Sequence, residues 1–171
     1  MYKEDLVKLV DWKLTRGKWR PRLLTYAQNV SADAVLDCSS RAFKALDSLT
    51  VGEDCPPTIF QSALKPLLEL KGVGPATATA ILSAYHHSIP FLSDQALMAV
   101  SGSRDYTVPA AVRTMTALQE KAKALNGTQS LETWTAKLVE KGLFADSLAS
   151  QTKPGKDEEK REATKGKRKR R

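Results

Sequence analysis

The chain has 171 residues, 42% of them hydrophobic, and its 27 Lys/Arg against 19 Asp/Glu give a formal net charge of +8. That length suits one domain with its own core, and the only two cysteines, Cys38 and Cys55, exclude a disulfide framework or a cysteine metal cluster and suggest a reducing compartment. No apolar run approaches the roughly 20 residues of a membrane span, and Tyr2-Lys3-Glu4-Asp5 opens an amphipathic pattern rather than a signal peptide.

Leu6, Val7, Leu9, Val10 and Leu14 recur at helical spacing and predict a first helix that stops near Gly17. Residues 12–22 then crowd Lys13, Arg16, Lys18, Arg20 and Arg22 around Trp12 and Trp19. Cations interleaved with aromatics suit a phosphate backbone with a stacked base beside it. They equally suit a helix end, with solvated cations at the negative end of the dipole and both tryptophans in the core.

Pro21 should open a second helix, running through Val30. Ser31 is a good N-cap for a third, to about Leu49, with Val35, Leu36, Phe43 and Leu46 inward. Gly52 to Pro57 reads as a loop, and Thr58 with Gln61 forms a capping-box pattern that starts the next helix. Pro66 lies inside that helical pattern and predicts a kink or break.

The most informative stretch follows: Leu70-Lys71-Gly72-Val73-Gly74-Pro75-Ala76-Thr77-Ala78. Two glycines one residue apart permit a tight turn, and Pro75 suits the first turn of a helix running to Tyr85. Bare backbone over that turn lets N–H groups approach an anion, on which the helix dipole also points. A nucleic-acid phosphate is such an anion. Lys71 adds charge beside it, or is an ordinary solvated lysine. Thr77 and Thr79 could touch phosphate or sit on ordinary helix faces.

Beyond it, His86 to Pro90 is a short connection without metal-ligand spacing, Ser93 is a predicted N-cap, and Asp94 begins a helix through Val100. Gly102 to Val108 is a loop. Thr107 or Pro109 opens a helix to about Leu125, which Asn126-Gly127 ends. Thr128 should cap a last helix holding Leu131, Trp134, Leu138 and Val139, with Gly142 as its stop. No segment alternates with period two. The expected fold is all-α, a compact multi-helix bundle over residues 1–148 with a helix-hairpin-helix at 58–86 and an aspartate segment at 90–100.

Residues 149–171 are expected to form a disordered basic tail. Residues 151–171 hold ten Lys/Arg and four Asp/Glu, which leaves only +2 on residues 1–150. Lys165 to Arg171 fits a nuclear localisation signal recognised by import factors, or a non-specific nucleic-acid tether.

The stretch from Leu70 to Ala78 resembles the hairpin of the helix-hairpin-helix family. Pro90 and Asp94, with the gap from Gly74 to Asp94, resemble the rest of the signature of the helix-hairpin-helix DNA glycosylase superfamily. The likeness covers about residues 58 to 100. It implies DNA binding without sequence readout through Lys71, Gly72, Val73, Gly74, Pro75, Ala76 and Thr77. It also implies a catalytic role for Asp94: a fixed carboxylate stabilises the oxocarbenium-like sugar of a departing base, or activates the water that traps it. The base must first leave the stack. Lys13, Arg16, Lys18 and Arg20 are further DNA-contact candidates, and Trp12, Trp19 and Tyr85 candidates for a base pocket. The bland reading of Asp94 is a carboxylate complementing a helix dipole.

Departures from the family pattern carry implications as well. Ala76 occupies the place of the strand-cleaving members' lysine, so the resemblance implies a monofunctional enzyme. Lys71 stands where many members have proline. The four-cysteine iron–sulphur loop is absent, and neither cofactor nor metal is expected. The helical region is shorter than the usual two-lobed enzyme, so an incomplete lesion pocket is expected. Two other readings fit the same residues: a nuclear DNA-binding module that kept the hairpin without the chemistry, and a subunit of a nuclear or chromatin complex.

Overall fold

A computed structural model describes residues 1–17, 19–50, 53–127 and 133–152. Expectations for Lys18, Thr128, Leu131, the end of the tail and its import signal lie outside the described residues. Those residues form eight helices and no strand: α1 (Lys3–Thr15), α2 (Pro21–Asn29), α3 (Ala32–Lys44), α4 (Pro57–Leu67), α5 (Pro75–Tyr85), α6 (Asp94–Ser101), α7 (Val108–Asn126) and α8 (Ala136–Thr152). The fold is all-α and compact. No described helix is long and apolar enough to cross a membrane.

The central element is α5. Its small residues bury nearly its whole circumference, Ala76 through Ser83, so neighbours from α1, α3, α4 and α7 approach it closely. A large apolar cluster runs from Leu6, Val10 and Leu14 of α1 through Phe60 and Leu64 of α4 to Ile81, Leu82 and Met115. A smaller one joins Ala96 of α6, Leu118 and Ala122 of α7, and Ala136 and Val139 of α8. A helix buried on all sides is expected at the middle of a bundle rather than on its surface.

Several boundaries differ from the sequence reading. Helix α3 ends at Lys44 instead of near Leu49, because Leu46 and Leu49 take three-residue bonds to Phe43 O and Leu46 O (2.8 and 2.9 Å). Leu36 faces solvent rather than the core. Helix α4 starts one residue before Thr58, with Pro56 as its N-cap and Pro57 in its first turn, so no Thr58–Gln61 box caps it. The break expected at Pro66 is the helix's own end, one residue later. Helix α8 begins after Trp134 and runs through Gly142 instead of stopping there, and its last residues belong to the stretch assigned to the tail.

Candidate functional site

The hairpin between α4 and α5 closes with Val73 N–H donating to Leu70 O (3.0 Å), and α5 starts with Thr77 and Ala78 N–H donating to Gly74 O (both 2.9 Å). Among the described residues, no backbone carbonyl accepts from the N–H groups of Gly72, Gly74 or Ala76. The two glycines differ in purpose. Gly72 has φ +86°, and a Cβ there would lie 2.5 Å from Tyr26 Cβ, so the turn needs glycine twice over. Gly74 has φ −95°, and a Cβ there would meet nothing within 4 Å. Tyr26 thus covers one flank of the turn, with Lys71 Nζ 5.5 Å from its ring centre. The flank at Gly74 is exposed.

From α5, the chain turns back through Phe91 and Leu92 to α6. Thr79 fastens that return: its buried hydroxyl donates to Ala76 O and accepts from Leu92 N–H (both 3.1 Å). Thr79 is therefore structural rather than a phosphate contact. Ser93 then caps α6, its Oγ accepting from Ala96 N–H (3.2 Å), which places the Asp94 carboxylate in the first turn, at the positive end of the helix dipole.

Asp94 is 29% exposed and has two partners. The Tyr106 hydroxyl donates to Oδ1, and Arg104 Nε lies 3.4 Å from Oδ2. Burial, together with the hydrogen bond and negative charge of Asp94, pushes the Tyr106 phenol up to about 12. Tyr106 comes from the loop after α6, where no motif marks it in the sequence.

These parts share one cavity of about 190 Å³. The α5 N-terminus from Gly74 to Thr77 forms one wall, Asp94 and Tyr106 another, and Lys13, Arg16 and Arg20 of the N-terminal segment a third. Phe91 contributes an apolar surface. Hairpin, carboxylate and basic cluster, read separately in the sequence, thus face a common space. Lys13 is half-buried there, and among the described residues no ion pair holds it. Burial, and next Arg20, lower its pKa, against the pull of Asp94.

Other candidates stand elsewhere. Arg16 touches the cavity, but its guanidinium pairs with Glu140 Oε1 (2.8 Å) and lies 3.8 Å from the Phe144 ring centre, which removes it from the set of free phosphate contacts. Trp12 and Trp19, 44% and 54% exposed, are not core residues, yet neither lines the cavity. Trp12 packs against Phe91 at 5.7 Å. Tyr85 stacks on Phe43 at 3.9 Å, outside the cavity, so Phe91 and Tyr106 are its aromatic walls instead. Val73, Ala76 and Thr77 are buried, which limits any contact from them to the backbone or the rim. His86 and His87 stack on each other, and the described residues hold no cluster of three metal-ligating side chains.

No family model matches this chain, and no curated protein or solved structure matches it.

Proposed function

We propose that this protein binds DNA as a member of the helix-hairpin-helix glycosylase superfamily and releases a damaged base by Asp94-assisted hydrolysis, acting in the nucleus. One observation carries the reading: the unclaimed N–H groups at the start of α5, the cations Lys13 and Arg20, and the Asp94 carboxylate line one cavity. In this reading a backbone phosphate sits against Gly74 and Ala76 N–H, with Lys71 beside it. The extruded nucleotide enters the cavity, which is smaller than the roughly 300–1,000 Å³ of sites for drug-sized ligands and suits a single ring system. Asp94 then faces the sugar, where positive charge develops as the base departs. Ala76 offers no amine, so the hairpin helix itself forms no covalent intermediate.

The test is base release from duplexes carrying deaminated, alkylated or oxidised bases, scored by chromatography of the freed base. Wild type releases one class. Asp94→Asn lowers release by about 100-fold or more, the scale of a lost electrostatic or acid–base group, and still binds duplex in a salt-dependent manner. Silence across the panel with duplex binding intact favours the second reading, a nuclear DNA-binding module. The engagement of both Asp94 oxygens by Tyr106 and Arg104 supports that alternative.

A further inference from the structure

Arg104 stands in the loop between α6 and α7, 64% exposed, with Nε 3.4 Å from Asp94 Oδ2. That separation exceeds the roughly 2.7–2.9 Å of a charge-assisted hydrogen bond, and an exposed ion pair of this kind contributes little to a fold. Arg16 is the contrast: its pair with Glu140 is 2.8 Å long, and both side chains are mostly buried. The Asp94 carboxylate is thus held unequally. Half-buried Tyr106 donates its hydroxyl to Oδ1. The partner of Oδ2 is an exposed cation that makes no second ion pair among the described residues.

We propose that Arg104 is a DNA-phosphate contact that leaves Asp94 when duplex binds, so that binding itself uncovers the Asp94 Oδ2 oxygen. The proposal rests on the reading of the cavity as a DNA site, and it holds with or without base release. A nucleotide within a strand carries a phosphate on each side. The start of α5 takes one of them in that reading, and Arg104, beside the wall formed by Asp94 and Tyr106, is placed for the other. A planar guanidinium matches phosphate bidentately, which replaces one long contact to a single carboxylate oxygen with two short ones. Tyr106 keeps Oδ1 throughout, so the carboxylate stays oriented while its second oxygen is released toward the bound sugar. Before DNA arrives, the same cation covers the acid and offsets its repulsion of an approaching phosphate. Toward Asp94, Arg104 is thus a positioning residue.

The experiment measures the affinity of the full chain for an undamaged mixed-sequence duplex by fluorescence anisotropy across a series of salt concentrations. It compares wild type with Arg104→Met, Arg104→Lys, Asp94→Asn and the variant carrying both Asp94→Asn and Arg104→Met. Arg104→Met should reduce the slope of log affinity against log salt by about one, as loss of one phosphate contact does, and Arg104→Lys should retain the wild-type slope. Asp94→Asn releases Arg104 in advance and should raise affinity by about 2- to 5-fold, the scale of an exposed ion pair, with a smaller gain in the Arg104→Met background. Circular-dichroism melting curves check that each variant folds; a purely structural role for Arg104 would move those curves and leave the slope alone. An unchanged slope in Arg104→Met, or an Asp94→Asn gain that is absent or equal in both backgrounds, overturns the exchange while duplex binding by wild type still stands. Wild type without salt-dependent affinity removes the DNA reading itself, and the exchange with it.

Discussion

Arg16 and Glu140 lie 124 positions apart in sequence and 2.8 Å apart in space. Their side chains are 12% and 2% exposed, and the guanidinium is also within 5.3 Å of the ring centres of Trp12 and Phe91. The pair ties α1 to α8 at the edge of the cavity. A buried ion pair of this kind is costly to break on one side, since the remaining charge is left without its partner. Glu140→Ala or Arg16→Ala should therefore destabilise by about 3–5 kcal/mol, whereas replacing both with apolar residues of similar volume should recover most of the loss. Urea unfolding of the three variants measures this. Additive losses in the double variant would show that the two side chains act independently.

The two hairpin glycines should respond oppositely to a methyl group. Gly72→Ala meets both a left-handed backbone and the Tyr26 side chain, and should cost about 2–4 kcal/mol. Gly74→Ala meets neither, and should change stability by no more than about 0.5 kcal/mol. If the turn seats a phosphate, Gly74→Ala lowers duplex affinity while melting as wild type does. Thermal melts paired with fluorescence anisotropy separate the two effects.

Thr79→Val keeps shape and removes the acceptor for Leu92 N–H, which is buried. The orphaned donor should cost about 1–3 kcal/mol. Because Leu92 is two residues from Asp94, hydrogen exchange should rise at Leu92 and Ser93 more than in α3, which takes no part in the lost bond. Uniform loosening across all helices would argue against a local pin.

Tyr106 sets a pH signature. Its folded-state pKa is raised to about 12 from 10.0, so folding favours the neutral phenol. The stabilisation is fully present below pH 10 and is lost as pH rises from 10 to 12, because the unfolded chain releases the proton first. The stability difference between wild type and Tyr106→Phe should shrink across that window. Denaturant midpoints at several alkaline pH values, with absorbance of the phenolate, report it directly.

The parts of the fold legible in the sequence are those governed by local chemistry. Pro75 in a first turn, Ser93 as a cap with Asp94 behind it, and Thr107 as a cap all stand where short-range rules put them. Gly142 shows the limit of such rules: an interior glycine costs a helix only about 1 kcal/mol, and burial of Val139 and Glu140 just before it, with Leu143 and Phe144 half-buried just after it, outweighs that cost. Leu36 misled because apolar spacing does not say which face a neighbour covers. The cavity's aromatic wall was illegible for a different reason. Tyr106 sits in a loop with no periodicity, and its role comes from meeting a carboxylate held by another element. Likewise a cluster of cations does not reveal that one of them, Arg16, has an acid waiting in the last helix.

That last helix also imposes an order of events as the polypeptide is made. While a ribosome extends the chain from its first helix, the Arg16 charge has no acid to meet until Glu140 has been added. The emerging protein can close its hairpin turn before that point, yet the edge of the pocket stays unlatched until α8 has been added. Translation thus withholds the finished cleft from any ligand until α8 has come off the assembly line and been folded down.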